Sequence, residues 1–450
     1  MTSPITFSRV VALALPAAAA SAATPLLGLI DAVALGRSPD PLEVGAVGLA
    51  GAVFSALYWT FGFLRMSTSG LAAQATGEGS EGAVRAVLAR SVLLGALIGL
   101  ALLALRPLIE TIAFAGLRIE SEASEATFAA ALEYFGIRLW AAPAALATYA
   151  ATGWLTGRGH TGVVLAATLA MTGLNAGLDW WFVAVRNEGA AGVALGTAIA
   201  EAAGLGFTAL GCLWVAARKG GAFHHWRGAL RADPAAFAKL FAMNRDVFIR
   251  TALLVFSFVF FTQRSSSWGD VTLAANQILL QLFLLTGLAL DGPAIAAESL
   301  VGQAVGRGDR AAFDRTLKYA AWATALAALP FALAYLALGD LILSLMTTSE
   351  PIRAEAGAHL AWVALSPLAV ALAFLLDGIF IGATRGNDLR DMMIASFAVY
   401  MALWFALAPA FGNHGHWAAF ILYFAVRGAT LLYRLPAARA DAFGGKTANA

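Results

Sequence analysis

The chain has 450 residues, of which 60% are hydrophobic and 12% charged, with a formal net charge of +2 at pH 7. Soluble domains carry about 25% charged residues, so too little polar surface exists to cover a soluble globule of this length. Cys212 is the only cysteine, which excludes a disulfide framework and a thiolate metal cluster.

Apolar runs follow one another from end to end, and a helical crossing of the hydrocarbon layer takes about 20 such residues. Strands of about ten alternating residues, the mark of a barrel, are absent from the pattern. Hydropathy and loop punctuation predict spans near 9–36, 44–73, 85–106, 126–157, 161–185, 189–217, 246–268, 271–305, 312–338, 352–383, 389–410 and 415–436. Arg9 before an apolar run ending Ala-Ser-Ala-Ala resembles a secretory leader, but the run continues to Leu35, too long for a leader and suited to a first span. The stretch 218–245 is the longest polar connection and reads as a linker between 1–217 and 246–450. Gly, Ala and Phe dilute its charges, which argues against a nucleic-acid or anionic-lipid site there.

Nineteen lysines and arginines fall on one side of these spans and six on the other. The positive-inside rule therefore places both termini in the cytoplasm, in keeping with an even span count. The two halves are also related. Gln74-Ala-Thr-Gly77-Glu-Gly79 after the second span matches Gln303-Ala-Val-Gly306-Arg-Gly308 after the eighth, and Gly153-Trp-Leu-Thr-Gly157 matches Gly378-Ile-Phe-Ile-Gly382. Six spans per half make the repeat parallel. The predicted fold is an all-α polytopic membrane protein, twelve transmembrane helices in two pseudo-symmetric six-helix bundles around a central cavity.

An ionised side chain at the centre of a spanning helix costs about 2.5–3.5 kcal/mol on the insertion scale, so each needs a partner, a wet cavity or a proton. The acids in question are Asp31, Asp179, Glu201, Asp291, Glu298 and Asp377, and the bases Arg65, Arg138, Arg250 and Arg427. Asp31 sits in a span interrupted by Pro16 and Pro25. A carboxyl in a low-dielectric interior can take a proton and release it when its access changes. Asn175 and Asp179 are four residues apart and share a helix face; Thr197 can add a hydroxyl, or bond its own helix backbone. In span 8, Gly292-Pro293 is predicted to break the helix between Asp291 and Glu298, as interrupted helices do in transporters. Those two acids share a face, and pairing with Arg65 or Arg250 is as well supported as ion handling. Asp377 aligns with Thr152 in the other half and is a candidate site for the C-terminal bundle alone.

Several chemistries are unsupported. Gly445-Lys-Thr447 resembles the end of a phosphate-binding loop, but the required first glycine falls at Ala440 and no strand precedes it, so ATP is not the expected energy source. His414-Gly-His416, in a predicted short outer loop, and His224-His225, in the linker, lack the spacing of a zinc site. No cofactor or metal is expected. An intramembrane enzyme would need a nucleophile and base at membrane depth, and the histidines fall mostly in or near predicted loops.

In their order and spacing, Gly28-Leu-Ile-Asp31, Phe63-Leu-Arg65-Met with Gly70-Leu-Ala-Ala-Gln74, Gly153-Trp-Leu-Thr-Gly157, Leu290-Asp291-Gly with Ala297-Glu298 and Gly302-Gln303, and Leu376-Asp377-Gly-Ile-Phe-Ile-Gly382 resemble the multidrug and toxic compound extrusion (MATE) transporters, DinF-like branch. The resemblance implies a V-shaped pair of six-helix bundles that alternates between inward and outward openings and exports drugs in exchange for protons or sodium. It implies Asp31 as the span-1 acid, Pro16 as the bending proline, Asn175, Asp179 and Thr197 beside it, and Asp377 as the span-10 acid used in other branches. Some relatives place a tyrosine one turn before the span-1 acid, where this chain has Leu27. The expected function is a monomeric efflux antiporter of the bacterial inner membrane, coupled to protons or alternatively sodium, with small organic substrates and lipids as partners and no nucleic acid. Its ion and substrate site is Asp31, Asn175, Asp179 and Thr197, with Asp291, Glu298, Asp377 and Arg65 as further candidates and Pro16 and Pro25 as bending points. A flippase for lipid-linked precursors is the alternative; it requires a groove whose arginines hold a pyrophosphate.

Overall fold

The structure is a computed structural model that describes residues 4–35, 41–120, 124–218 and 233–444. The N-terminal half contains α1 (Phe7–Leu35), α2 (Pro41–Thr60), α3 (Phe63–Gly77), α4 (Glu81–Ala104), α5 (Arg106–Glu120), α6 (Glu125–Leu139), α7 (Ala142–Gly157), α8 (Thr161–Trp180) and α9 (Gly189–Ala217). A π turn over Trp181–Val185 prolongs α8. The C-terminal half contains α10 (Pro234–Ser265), α11 (Asp270–Arg307), α12 (Arg310–Met346), α13 (Glu350–Gly382) and α14 (Gly386–Gly444), the last being two helices joined across Gly412. Among the described residues, nine helices have the length and apolarity of a membrane span. The helix α1, the α6–α7 pair and the division of α14 bring the total to the twelve spans expected.

Several elements depart from expectation. The connection after α4, expected on the outer side, is itself helical, as α5. The α6–α7 span breaks at Trp140 and Ala141 because Pro143, near the start of α7, has no N–H to continue the ladder. The linker is shorter than predicted, since α10 begins at Pro234. Asp233 caps it by accepting from Ala236 N at 3.2 Å, and proline suits a first helical position. The predicted break at Gly292-Pro293 does not occur: α11 runs through it, and Pro293 leaves only its own ladder position open. Gly292 serves a close approach instead, since a Cβ there would lie 2.5 Å from Ala14 O. Likewise α1 is one helix through Pro16. His414 and His416 lie in α14 rather than a loop, and His416 is buried, stacked on Phe261 with ring centroids 4.1 Å apart. Arg37, residues 219–232 of the linker with His224-His225, the tail with Gly445–Thr447, and the side chains of Pro25 and Leu27 lie outside the described residues.

The chain forms two compact units. One comprises residues up to Ala18, Ala73–Gly79 and everything from Lys239; the other comprises Ala19–Ala72 and Ser80–Ala238. This division follows packing, whereas the expected halves 1–217 and 246–450 follow the repeat, so α1 and α3 each contribute to both units.

The repeat is visible in the backbone. Gly79 (φ 74°) and Gly308 (φ 71°), 229 residues apart, both occupy the left-handed region just after a helix, which glycine enters without steric cost. Each is followed by a helix cap: Ser80 accepts from Ala83 N at 3.2 Å and Asp309 from Ala312 N at 2.8 Å. Asn187 (φ 55°) and Gly412 (φ 56°) are a second pair. The Gln-x-x-Gly motifs, expected in loops, instead form the last turns of α3 and α11 and meet each other. A Cβ on Gly77 would lie 2.3 Å from Gln303 O, and one on Gly306 2.1 Å from Gln74 O.

Lipid is as apolar as leucine, so helices in a bilayer associate through close packing and polar contacts rather than hydrophobic burial. Small residues supply that packing: Gly378 and Gly382 on α13 ride against Ala294 O and Glu298 O of α11, and Gly153 on α7 against Arg65 O of α3. Outward faces are apolar, with Leu326, Leu333 and Leu336 of α12 more than half exposed, a surface suited to hydrocarbon.

Candidate functional site

The second unit buries a polar network where five helices meet. Asp31 on α1 is 2% exposed, and Asn175, Asp179 and Thr197 are fully buried. Asn175 and Asp179 project from one face of α8. Asn175 Nδ2 donates to Thr197 Oγ1 on α9 at 3.1 Å. Thr197 has one proton to give; Val193 O stands 2.9 Å away and Asp31 Oδ1 3.5 Å. The shorter bond takes it, and the hydroxyl keeps a lone pair toward Asp31. Asp31 Oδ2 accepts from Tyr134 Oη on α6 at 3.2 Å. Neither oxygen of Asp179 has a well-formed hydrogen bond, and the groups that face it include the Asp31 carboxyl and the Asn175 amide. Glycine at 196 makes room for it, because a Cβ there would lie 2.6 Å from Asp179 Oδ1.

The network continues beyond these four. Arg138, one turn after Tyr134 on α6, donates from Nη1 to Tyr134 Oη at 3.3 Å and from Nη2 and Nε to Glu201 Oε1 on α9 at 2.8 and 3.2 Å. Tyr58 on α2 donates to Glu201 Oε2 at 3.2 Å. Tyr149 on α7 faces Glu201, Arg138 and Arg65, which brings Arg65 to the margin of the same network. These bonds form one connected network, Asp31 to Tyr134 to Arg138 to Glu201 to Tyr58, with the Asp31–Asp179 pair at one end.

The other unit holds a different constellation. Asp377 on α13 accepts through Oδ2 from Arg250 Nη2 on α10 and from Arg427 Nη2 on α14. The expected pairing of Arg250 with Asp291 or Glu298 is therefore corrected: its carboxylate is Asp377, brought to it by the packing of three helices. Glu298 is buried on α11 and Asp291 half-buried two turns earlier, on the same face. Of the residues singled out in the sequence, the structure gathers Asp31, Asn175, Asp179 and Thr197 into one cluster and sets Asp377 apart from them. Tyr58, Tyr134 and Gly196 went unnoticed; a tyrosine one turn before an intramembrane arginine was the available signal for Tyr134.

The chain is an integral membrane protein with carboxyl, amide and hydroxyl groups held together inside its apolar spanning helices. The family profile described as MatE matches residues 16–181 and 247–409, and the chain belongs to this family of efflux transporters for drugs and toxic compounds. It is 34% identical over 420 residues to DNA damage-inducible protein F of Escherichia coli (strain K12), covering 93% of this chain and 90% of that protein, which sets it in the DinF-like branch. It is 28% identical to Protein DETOXIFICATION 44, chloroplastic, of Arabidopsis thaliana, covering 93% of this chain and 80% of that one. The fold matches the Vibrio cholerae MATE transporter VcmN in its bent form, with a TM-score of 0.84, 19% identity and 97% of each chain covered. The architecture is thus the twelve-helix, two-bundle one expected.

Proposed function

We propose that this chain exports small organic compounds from the cytoplasm in exchange for protons, acting by alternating access in a bacterial inner membrane with both termini cytoplasmic. The observation that carries the reading is the buried contact between Asp31 and Asp179. Two carboxyls this close repel unless a proton lies between them. Asp31 also ties α1 to α6 through Tyr134 and stands against α9 through Thr197. Protonated, Asp31 accepts more weakly from Tyr134, because a bond to a charged acceptor is about twice as strong as a neutral one; its new O–H can donate to the free lone pair of Thr197. That exchange of partners repositions the outer part of α1 and displaces a substrate held nearby. Release of the proton restores the first arrangement.

Proton coupling is favoured over sodium because the acid of the C-terminal bundle, Asp377, already bonds two guanidinium groups, an arrangement that repels a second cation. The flippase alternative needs arginines for a pyrophosphate. In the cluster around Asp31, three buried acids surround Arg138, which itself bonds Glu201, a balance that repels a pyrophosphate.

The test is ethidium export from proteoliposomes under an imposed pH gradient, with a sodium gradient as the second arm. Wild type is expected to respond to the pH gradient and Asp31→Asn to neither. Gradient-driven export by Asp31→Asn at the wild-type rate removes the role given to Asp31, and a response to sodium alone replaces the ion.

A further inference from the structure

The charge balance around Asp377 is the reverse of a cation site. Asp377 and Arg250 are each 6% exposed and Arg427 2%. Guanidinium groups stay charged in proteins, so the contact of two arginines with one carboxylate holds more positive than negative charge. The groups that face Arg250 include Asp377, Arg427 and Tyr423, and those that face Tyr423 include the same two arginines, Asp377 and Ser257. Asp377 is the acid that both arginines bond, and the Tyr423 hydroxyl is directed to Met393 Sδ at 2.9 Å. Arg250 Nε, a donor, and Asp377 Oδ1 are both buried without a partner. A buried ion with incomplete compensation is costly to hold, and a donor without an acceptor points to what is missing.

We propose that Arg250 and Arg427 form a binding site for an anionic group, such as a carboxylate or sulfonate, of a transported aromatic compound. The inference rests on the export function proposed above and names a substrate class for it. Asp377 is the built-in occupant that keeps the two guanidinium groups together, and the incoming anion takes the donors Asp377 leaves unused, Arg250 Nε among them. An aromatic body suits the surroundings: the Arg427 guanidinium lies 6.0 Å from the Phe424 ring centre, and Phe424 packs on Tyr423 and Phe283 at 5.1 and 5.2 Å. A soluble compound is favoured over a lipid headgroup because Asp377 sits on α13, the most enclosed of the candidate spans among the described residues, away from the lipid-facing surface.

The experiment measures fluorescein binding by anisotropy to the full chain in phosphatidylcholine nanodiscs, at fixed pH, for wild type, Arg427→Gln, Arg427→Lys and Asp377→Asn. Arg427→Gln is expected to weaken binding about tenfold, the loss of one charge-assisted contact, while Arg427→Lys, which keeps the charge, loses less. Asp377→Asn removes the competing carboxylate, so it is expected to bind fluorescein more tightly than wild type and to gain more thermal stability from it. Should Arg427→Gln fail to fold, the sign for Asp377→Asn still decides: weaker binding than wild type overturns the site. Equal binding by wild type and Arg427→Gln overturns it too. A further arm adds phosphatidylglycerol to the nanodiscs; displacement of fluorescein by that lipid, dependent on Arg427, contradicts the assignment to a soluble substrate. Wild-type ethidium export under a pH gradient reads the antiport separately, so its failure and the failure of the anion site are distinct results.

Discussion

In the unit built from Ala19–Ala72 and Ser80–Ala238, the buried cluster sets Arg138 among three acids, Asp31, Asp179 and Glu201; in the other unit, Arg250 and Arg427 both bond Asp377, and Glu298 is a further buried acid. The backbone devices are shared, down to the left-handed glycines 79 and 308 and the caps that follow them. A duplicated scaffold has therefore been fitted with two differently composed charge clusters. Helix ends, turns and small-residue contacts are requirements of spanning a bilayer, so both halves keep them. Interior charge is a requirement of the cargo or ion and is free to diverge. One unit has the chemistry to take up and release protons, and the other has the chemistry to hold an anion.

The sharpest way to break that contrast is Asp31→Asn, expected to lower gradient-driven export by about a hundredfold or more, in line with losing a proton-transfer group, while leaving the protein folded. Retained export would place coupling elsewhere. Next comes the shared scaffold. Gly306→Val sets a branched side chain against Gln74 O, and Gly77→Val does the same against Gln303 O, with backbone on both sides. Each should cost about 3 kcal/mol or more, as overpacking does where nothing can yield, read as loss of thermal stability in detergent. If one is tolerated and the other is not, the two ends are not equivalent.

A third prediction separates stability from coupling in the acidic unit. Arg138→Gln strands Glu201 and should destabilise by about 3–5 kcal/mol, whereas Arg138→Gln with Glu201→Gln should recover most of that loss. A double variant as unstable as the single one would show that the guanidinium packing over Phe54, 4.6 Å from the ring centre, matters more than the pair. Gly196→Ala crowds Asp179 and should cost about 1–3 kcal/mol, read as loss of thermal stability, with export reduced. The smallest effect belongs to the surface: Arg118→Gln removes the exposed pair with Glu125 and should change stability by less than about 1 kcal/mol.

Much of the site was legible because intramembrane charge is rare. Asp31 and Asp179 stood out on cost, Asn175 through its four-residue spacing and Thr197 through its place in the next span. Tyr58 and Tyr134 did not, since a tyrosine in a spanning helix looks the same whether it marks an interface or donates to a buried acid. The Arg250–Asp377–Arg427 cluster joins helices far apart in sequence, and no periodicity links positions on different helices. Span count and repeat were readable from hydropathy, but the start of α10 was not, although Asp233-Pro234 is a cap-and-proline signal. The role of Gly292 was misjudged for a physical reason: glycine before proline reads as a break in isolation, and here its lack of a side chain admits α1.

The most direct test of the central claim is proton release on substrate binding. Ethidium is added to the purified full chain in weakly buffered detergent solution and the pH change recorded, with Asp31→Asn alongside. Wild type is expected to release protons in proportion to ethidium bound and Asp31→Asn to release none; equal release by both would contradict the assignment of coupling to the Asp31–Asp179 pair.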